Sequence, residues 1–322
     1  MKSKKLINRL LMSLCASTVI FGSAVHAADY PTKQIELVVP FSAGGGTDLV
    51  SRAFADTAKK YLSQPIGVVN KTGGGGAVGL TDIAFARPDG YKIGTGTSEI
   101  NMLPHMGLVA FKADDFIPIA RLNAEPSAIS VNAESPWKTY EEFMAYAKAN
   151  PGKVRIGNSG TGAIWHLAAE ALADKAGVKF SHVPYEGANP AVTALLGNHI
   201  EAVTVSPAEV INHVKAGKIR LLAVMGDQRS PAFDQVPTLK EKGVDLTIMT
   251  WRGIMVSKKT SDDVVKVLRE AAKKTVEDPA FKEVLTKMNL TSAYLDAPEF
   301  KTFVAKDNEF FKALMTKLGI AK

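Results

Sequence analysis

Residues 35–48 read IELVVPFSAGGGTD, and this stretch decides the fold. Ile35, Leu37, Val38 and Val39 make an apolar run rich in β-branched residues, as a buried strand requires, and Pro40 to Gly46 break it. Thr47 or Asp48 then stands where a helix cap is needed, ahead of Leu49, Val50, Ala53, Phe54 and Ala58 at helical spacing. Such a strand–glycine loop–helix unit turns backbone N–H groups and the positive end of a helix dipole toward one point, which attracts an anion.

The same arrangement recurs outward from this unit. Val68 to Asn70 lead into KTGGGG, Val154 to Asn158 into SGTG, and His182 to Tyr185 into EGANP, each followed by a helical pattern. Four such strand ends converging on one small anionic ligand is the expectation. Strands alternating with helices imply a parallel sheet covered on both faces, with the ligand at the carboxyl ends of its strands.

The N-terminus is expected to lie outside the fold. Lys2, Lys4, Lys5 and Arg9 precede an apolar run from Leu10 to Gly22, and Val25-His26-Ala27 offers the small residues a signal peptidase reads, predicting export and cleavage after Ala27. The run is shorter than the roughly 20 residues a membrane span needs. Cys15, the sole cysteine, lies inside it, so the mature chain holds no disulfide, thiolate metal site or cysteine nucleophile. The leader also carries four of the 39 basic residues and none of the 32 acidic ones, so the formal charge falls from +7 to +3. A nucleic-acid partner loses its support.

In order along the chain, strands are expected at 35–41, 66–70 and 92–95, with helices up to Tyr61 and from Ala77 to Ala86 between them. Residues 97–117 carry no clean period. A second alternating series starts near Ile117: strands at 117–122, 128–131, 154–157, 183–185, 202–205 and 221–225, and helices starting at Ser135-Pro136-Trp137 and spanning 163–176, 190–196 and 208–216. This second lobe reads as inserted in the first, which resumes with an apolar strand at 246–256 interrupted by TWRG. Helices capped by Ser261 and Asp262 and at Pro279 follow. A last helix from Pro298 to Leu318 presents Phe300, Phe303, Val304, Phe311, Leu314, Met315 and Leu318 as one stripe, expected to pack on the first lobe.

Enzyme motifs fail on context. Gly74-x-Gly76-x-x-Gly79 matches a dinucleotide fingerprint only in isolation, and no glycine loop ends in Gly-Lys-Ser/Thr. Ser159 with His166 is the one nucleophile and base pair worth weighing, for an exported serine hydrolase, but its surroundings lack the second glycine of a nucleophile elbow. The histidines show no metal-ligand spacing, so neither metal nor cofactor is expected. Arg252 in TWRG carries a planar fork suited to a carboxylate, whether a ligand's or the chain's own.

Taken together, YPTKQIELVVPFSAGGGTD, NKTGGGGAVG, ARPDGYKIGTGTS, HVPYEGANPAVTALLGNHIEA, VKAGKIRLLAV and the terminal LGIAK make the chain resemble the solute-binding proteins of tripartite tricarboxylate transporters, the TctC or Bug proteins. The resemblance implies a two-lobed α/β periplasmic binding protein of the Venus flytrap kind, type II-like. Its expected division is a signal peptide at 1–27, a first lobe at 28–125 and 227–322, and an inserted second lobe at 126–226. It implies a monomer that closes over a small di- or tricarboxylate and delivers it to membrane permease subunits, or alternatively to a sensor kinase, without catalysis. By position it assigns ligand contacts to Phe41, Ser42, Gly45, Thr47 and Asp48, then to Gly75 and Gly76, and to Thr97 and Ser98. It adds Ser159, Gly160, Thr161 and Gly162, followed by Tyr185, Gly187 and Ala188. The chain departs from the family pattern at Ser42-Ala43, where prolines are usual, and at the acidic Glu99 and Glu186.

Overall fold

A computed structural model describes residues 30–322, so the leader and its cleavage site lie outside the described residues. Strand β1 (Ile35–Val39) is fully buried except at Glu36 and runs parallel to β2 (Ile66–Asn70) and β3 (Lys92–Thr97). Helices α1 (Gly46–Ala58) and α2 (Ala77–Ala84) connect them, and the short α3 (Glu99–Met102) follows β3. Strand β4 (Phe116–Pro126) then runs along this sheet and passes directly, through Ser127, into β5 (Ala128–Asn132) of a second sheet.

The second sheet is filled by helix α4 (Tyr140–Ala149), β6 (Arg155–Asn158), α5 (Ile164–Ala176), β7 (Ser181–Pro184), α6 (Ala188–Leu196), β8 (Ala202–Val205), α7 (Pro207–Lys215) and β9 (Ile219–Val224). Its strand order is β7-β6-β8-β5-β9. The chain returns through β10 (Met249–Ser257), then α8 (Asp262–Glu277), α9 (Pro279–Lys287), β11 (Ser292–Asp296) and α10 (Ala297–Lys317). The first sheet reads β11-β4-β10-β3-β1-β2.

Both sheets are mixed, where alternation alone predicted parallel ones. β10 is antiparallel to β3 and β4, and β5 is antiparallel to β8 and β9, because β4 to β5 and β10 are the outgoing and returning crossings between the lobes. At the crossing the Ser127 N–H donates to the Ile248 carbonyl at 2.9 Å, the Met225 N–H to the Ser127 carbonyl at 2.7 Å, and the Ile248 N–H to the Met225 carbonyl at 2.9 Å. The two connections are thus tied to one another. Residues 31–322 pack as a single unit.

Three sequence expectations change. The α4 cap is Thr139, not Ser135: its hydroxyl accepts the Glu142 N–H, and Glu142 returns the bond to the Thr139 N–H, a reciprocal box that Ser135-Pro136 lacks. Strand β11 is not announced by the sequence because SAYLD holds no β-branched residue and is half-exposed, without the apolar run that marks the other strands. The α10 stripe serves two cores. Phe300 and Val304 join the first lobe's core around Trp251 and Phe111, while Phe311 and Met315 join the second lobe's core. At 1.5 Å per residue a helix of 21 residues spans about 30 Å, enough to bridge both lobes. Among the described residues no helix is long and apolar enough to cross a membrane.

Candidate functional site

Helices α1 and α5 begin on opposite sides of the cleft, one in each lobe, and each N-terminus is met by a carboxylate from the other lobe. The Gly46 N–H of α1 donates to Glu209 Oε1 of α7 at 3.1 Å. The Ile164 N–H of α5 donates to Glu99 Oε1 of α3 at 2.8 Å. Each carboxylate satisfies an otherwise unpaired first-turn amide and sits at the positive end of a helix dipole. The result is a crossed latch between the lobes.

Arg252 of β10 joins this latch. It is 1% exposed; its Nε donates to Thr47 Oγ1 at 3.0 Å, and its Nη2 lies 3.4 Å from Glu209 Oε1. Among the described residues its buried Nη1 has no hydrogen-bond partner, and neither does the Ser159 hydroxyl. Gly46 is what lets the guanidinium approach: a Cβ there would lie 2.6 Å from Arg252 Nη2 and 3.0 Å from Glu209 Oε1.

These groups enclose a cavity of about 20 Å³, the room of a water or two. Phe41, Gly45, Thr47, Thr97, Ser159, Ala188 and Arg252, all assigned from the sequence, line it. Gly46, Glu99, Ile164, Trp165, Glu209 and Thr250 line it as well and were not assigned. A larger groove of about 390 Å³ opens on the second lobe away from this cleft. There Lys242 is paired with Glu141 at 2.7 Å and Arg220 donates to the Trp137 carbonyl at 3.2 Å, so its cations are already engaged.

The remaining assigned residues lie off the cavity, and most shape or join the lobes around it. The Ser42 N–H donates to the Glu186 carbonyl at 3.0 Å, across the cleft. A Cβ on Gly75 would lie 2.5 Å from the Thr161 carbonyl oxygen, one on Gly160 2.8 Å from Gly75 Cα, and one on Gly187 2.5 Å from Ser42 Oγ. Gly75 and Gly187 are therefore points of lobe-to-lobe backbone contact. Gly76 packs against the Phe41 ring, the Ser98 hydroxyl is buried without a partner, and the Tyr185 N–H continues the sheet by donating to the Asn158 carbonyl at 3.1 Å.

Asp48 is not the α1 cap that its position suggested, because the helix starts at Gly46 with Gly45 as its cap residue. Its carboxylate faces back into the loop instead, accepting the Gly44 N–H at 2.9 Å, Arg52 at 2.9 Å and Asn70 Nδ2 at 2.9 Å. Burial alone would raise its pKa, but those three partners outweigh burial and hold it below the ordinary carboxylate value.

Other acids around the cleft move the opposite way. Burial pushes Glu99 up, against hydrogen bonds from Thr97 and the Ile164 N–H. Glu125 is pushed by burial to about 7, against the Thr291 N–H that it accepts. Asp307 of α10 is pushed by burial to about 6, although Trp251 Nε1 and Asn101 Nδ2 both donate to it at 2.8 Å.

The hydrolase pair is not assembled. His166 accepts the Gly162 N–H at Nδ1, at 3.3 Å, which leaves its proton on Nε2, and that atom faces Glu170 Oε1 at 3.5 Å rather than Ser159. His182 Nε2 reaches the same oxygen at 3.2 Å. This His166, Glu170 and His182 cluster pins β7 to α5, and spacing could not reveal it because His182 arrives from a different element.

The model of the tripartite tricarboxylate transporter family receptor, TctC, matches residues 50–320. A TctC solute-binding protein from Polaromonas, solved without ligand, is 48% identical and superposes with a TM-score of 0.66 over 89% of this chain and 99% of its own. The periplasmic binding protein BugD is 28% identical, with a TM-score of 0.87 over 91% and 100% of the two chains. An R. palustris protein solved with adipate is 25% identical, with a TM-score of 0.85 over 91% and 99%. The Polaromonas protein thus shares the most sequence of the three and superposes the least. Matched along most of its length and folded as solved periplasmic binding proteins are, the chain belongs to the tripartite tricarboxylate transporter family receptors, TctC.

Proposed function

We propose that this protein captures a small carboxylate of the di- or tricarboxylate class between its lobes, in the periplasm, and delivers it as a monomer to the membrane permease subunits of a tripartite tricarboxylate transporter. The leader directs export and is then removed after Ala27. The closing bodies follow the expected division into residues 28–125 with 227–322 and residues 126–226, except that Phe233, Val236, Leu239, Leu246 and Ile248 pack in the second lobe's core and so move with it.

One observation carries this reading: a buried guanidinium, Arg252, holds an unpartnered Nη1 at the edge of a cavity between two helix N-termini. A buried donor without an acceptor is costly, and a ligand carboxylate is the acceptor that suits it. A helix end adds at most about 2 kcal/mol for an anion, while charge-assisted bonds add about 1.5 to 3 kcal/mol each. A micromolar complex needs roughly 8 kcal/mol, so several groups from both lobes must act at once.

Support also comes from the solved R. palustris relative with adipate. The cavity of about 20 Å³ is too small for a dicarboxylate, so both entry and residence require the lobes to sit further apart than they do here. The test is a thermal-shift screen of the purified protein against adipate, succinate, malate and citrate. Stabilisation by at least one acid is expected, and no shift with any carboxylate overturns the proposal.

A further inference from the structure

The cleft read above as a carboxylate site is itself acidic. Glu99 is wholly buried, and Glu209 has a side chain 5% exposed. Glu125, 3% exposed, accepts the Thr291 N–H on β4 and lies within the field of both Arg252 and Glu209. Three buried carboxylates therefore share one guanidinium, Arg252. A dianionic ligand adds two more negative charges to that space.

The three acids are not equally compensated. Glu209 has Arg252 Nη2 and the Gly46 N–H on Oε1, and the Ser206 N–H on Oε2 at 2.9 Å. Among the described residues Glu99 has no cation within hydrogen-bond reach: its partners are the Thr97 hydroxyl on β3 and the Ile164 N–H on α5. Arg252 on β10 acts on it only through space, and Asp307 on α10 faces it as a like charge. Both Glu99 and Glu209 line the cavity, whereas Glu125 does not.

Resting on the carboxylate-capture reading, we propose that closure over a dicarboxylate takes up one proton from solvent onto Glu99, whose O–H then donates to the ligand's second carboxylate. Glu99 is thus a specificity-determining residue: it admits an anion only by giving up its own charge. In the parted cleft α5 withdraws with its Ile164 amide, water reaches the side chain, and the carboxylate ionises. Closing removes that water and brings the ligand's charge. Like charges in one dry site cannot all stay ionised, so the least compensated acid protonates. Burial already shifts Glu99 in that direction in the closed form.

Calorimetric titration of the mature protein with the tightest-binding acid of adipate, succinate and citrate tests this, run at pH 7.5 in phosphate and in Tris. The two buffers differ in ionisation heat, so the difference in binding heat counts protons. About one proton taken up per ligand is expected, with affinity falling up to about tenfold per pH unit above neutrality. Glu99→Gln should remove both the buffer dependence and the pH slope. Equal heats in the two buffers with normal binding overturn this inference and leave carboxylate capture standing. Failure of every acid to bind overturns both. Should Glu99→Gln not fold, equal heats in the wild type still overturn the inference, and Glu125→Gln, off the cavity lining, should keep the proton uptake, its loss there overturning the assignment to Glu99.

Discussion

Replacing Arg252 by lysine separates recognition from folding. Arg252 lies within 3.4 Å of Glu209 and donates to Thr47 at 3.0 Å. Lysine keeps the positive charge, and a unit pair about 4 Å apart at an effective dielectric near 20 interacts by about 4 kcal/mol, so Glu209 is not left stranded. What lysine lacks is the planar fork, and with it both the Thr47 bond and the Nη1 donor. One lost charge-assisted bond to the ligand is worth about 1.5 to 3 kcal/mol, which weakens binding by about 10- to 150-fold. The lost Thr47 bond costs stability as well, at roughly 2–4 °C of Tm per kcal/mol in a domain of this order of size. Trp165 lines the cavity and supplies an intrinsic fluorescence signal for the titration. A Kd within twofold of wild type alongside a lowered Tm would refute the reasoning, since Arg252 would then be an internal ion-pair partner and nothing more.

Other outcomes follow from the same geometry. Gly46→Ala places a Cβ 2.6 Å from Arg252 Nη2, and should weaken ligand binding about tenfold or more with a smaller effect on Tm, read by the same titration. Asp48→Asn should cost about 1–3 kcal/mol in urea unfolding, because the first loop loses its charged acceptor. Since the folded pKa of Asp48 is depressed, its contribution is present above the unfolded value and is lost as pH falls through the folded one. Asp307 is the reverse case, raised to about 6: the folded state holds the proton more tightly, so stability declines as pH rises from about 4 to 6. Asp307→Asn should flatten that decline in chemical unfolding across the same window. Phe311→Ala should cost about 3–5 kcal/mol, because this ring is 1% exposed in the second lobe's core.

Much of the first lobe could be read from the chain because local pattern and global fold agree there. The apolar run at 35–39, the glycines after it and the helical spacing from Leu49 each point to one unit, and the structure forms it. Where position depends on partners, reading failed. SAYLD has polar ends and no β-branched residue to announce a strand, and only its pairing with Asn123, Arg121 and Ala120 on β4 makes it one. The α10 stripe is continuous in sequence, so nothing in its spacing marks where one core ends and the next begins.

The cleft shows the same division. Glycine loops were visible, but which of them face the cavity and which bring the lobes into contact depends on how closely two backbones approach. Gly75 and Gly187 belong to the second kind. Glu209 carries a sequence signal, since Ser206-Pro-Ala-Glu209 has the spacing of a capping box and the Glu209 half of it forms, its Oε2 accepting the Ser206 N–H at 2.9 Å at the start of α7. That its other oxygen crosses to Gly46 is a property of the closed lobes alone. Glu99 stood out as an acid in a loop expected to meet an anion, and the structure gives that oddity a partner, the amide of Ile164.

The most direct measurement of the account is a crystal structure of the protein with a dicarboxylate that stabilises it. One carboxylate of that ligand is expected within hydrogen-bond distance of Arg252 Nη1 and the Ser159 hydroxyl, enclosed by both lobes. An acid bound elsewhere, with Arg252 still facing only Thr47 and Glu209, would contradict it.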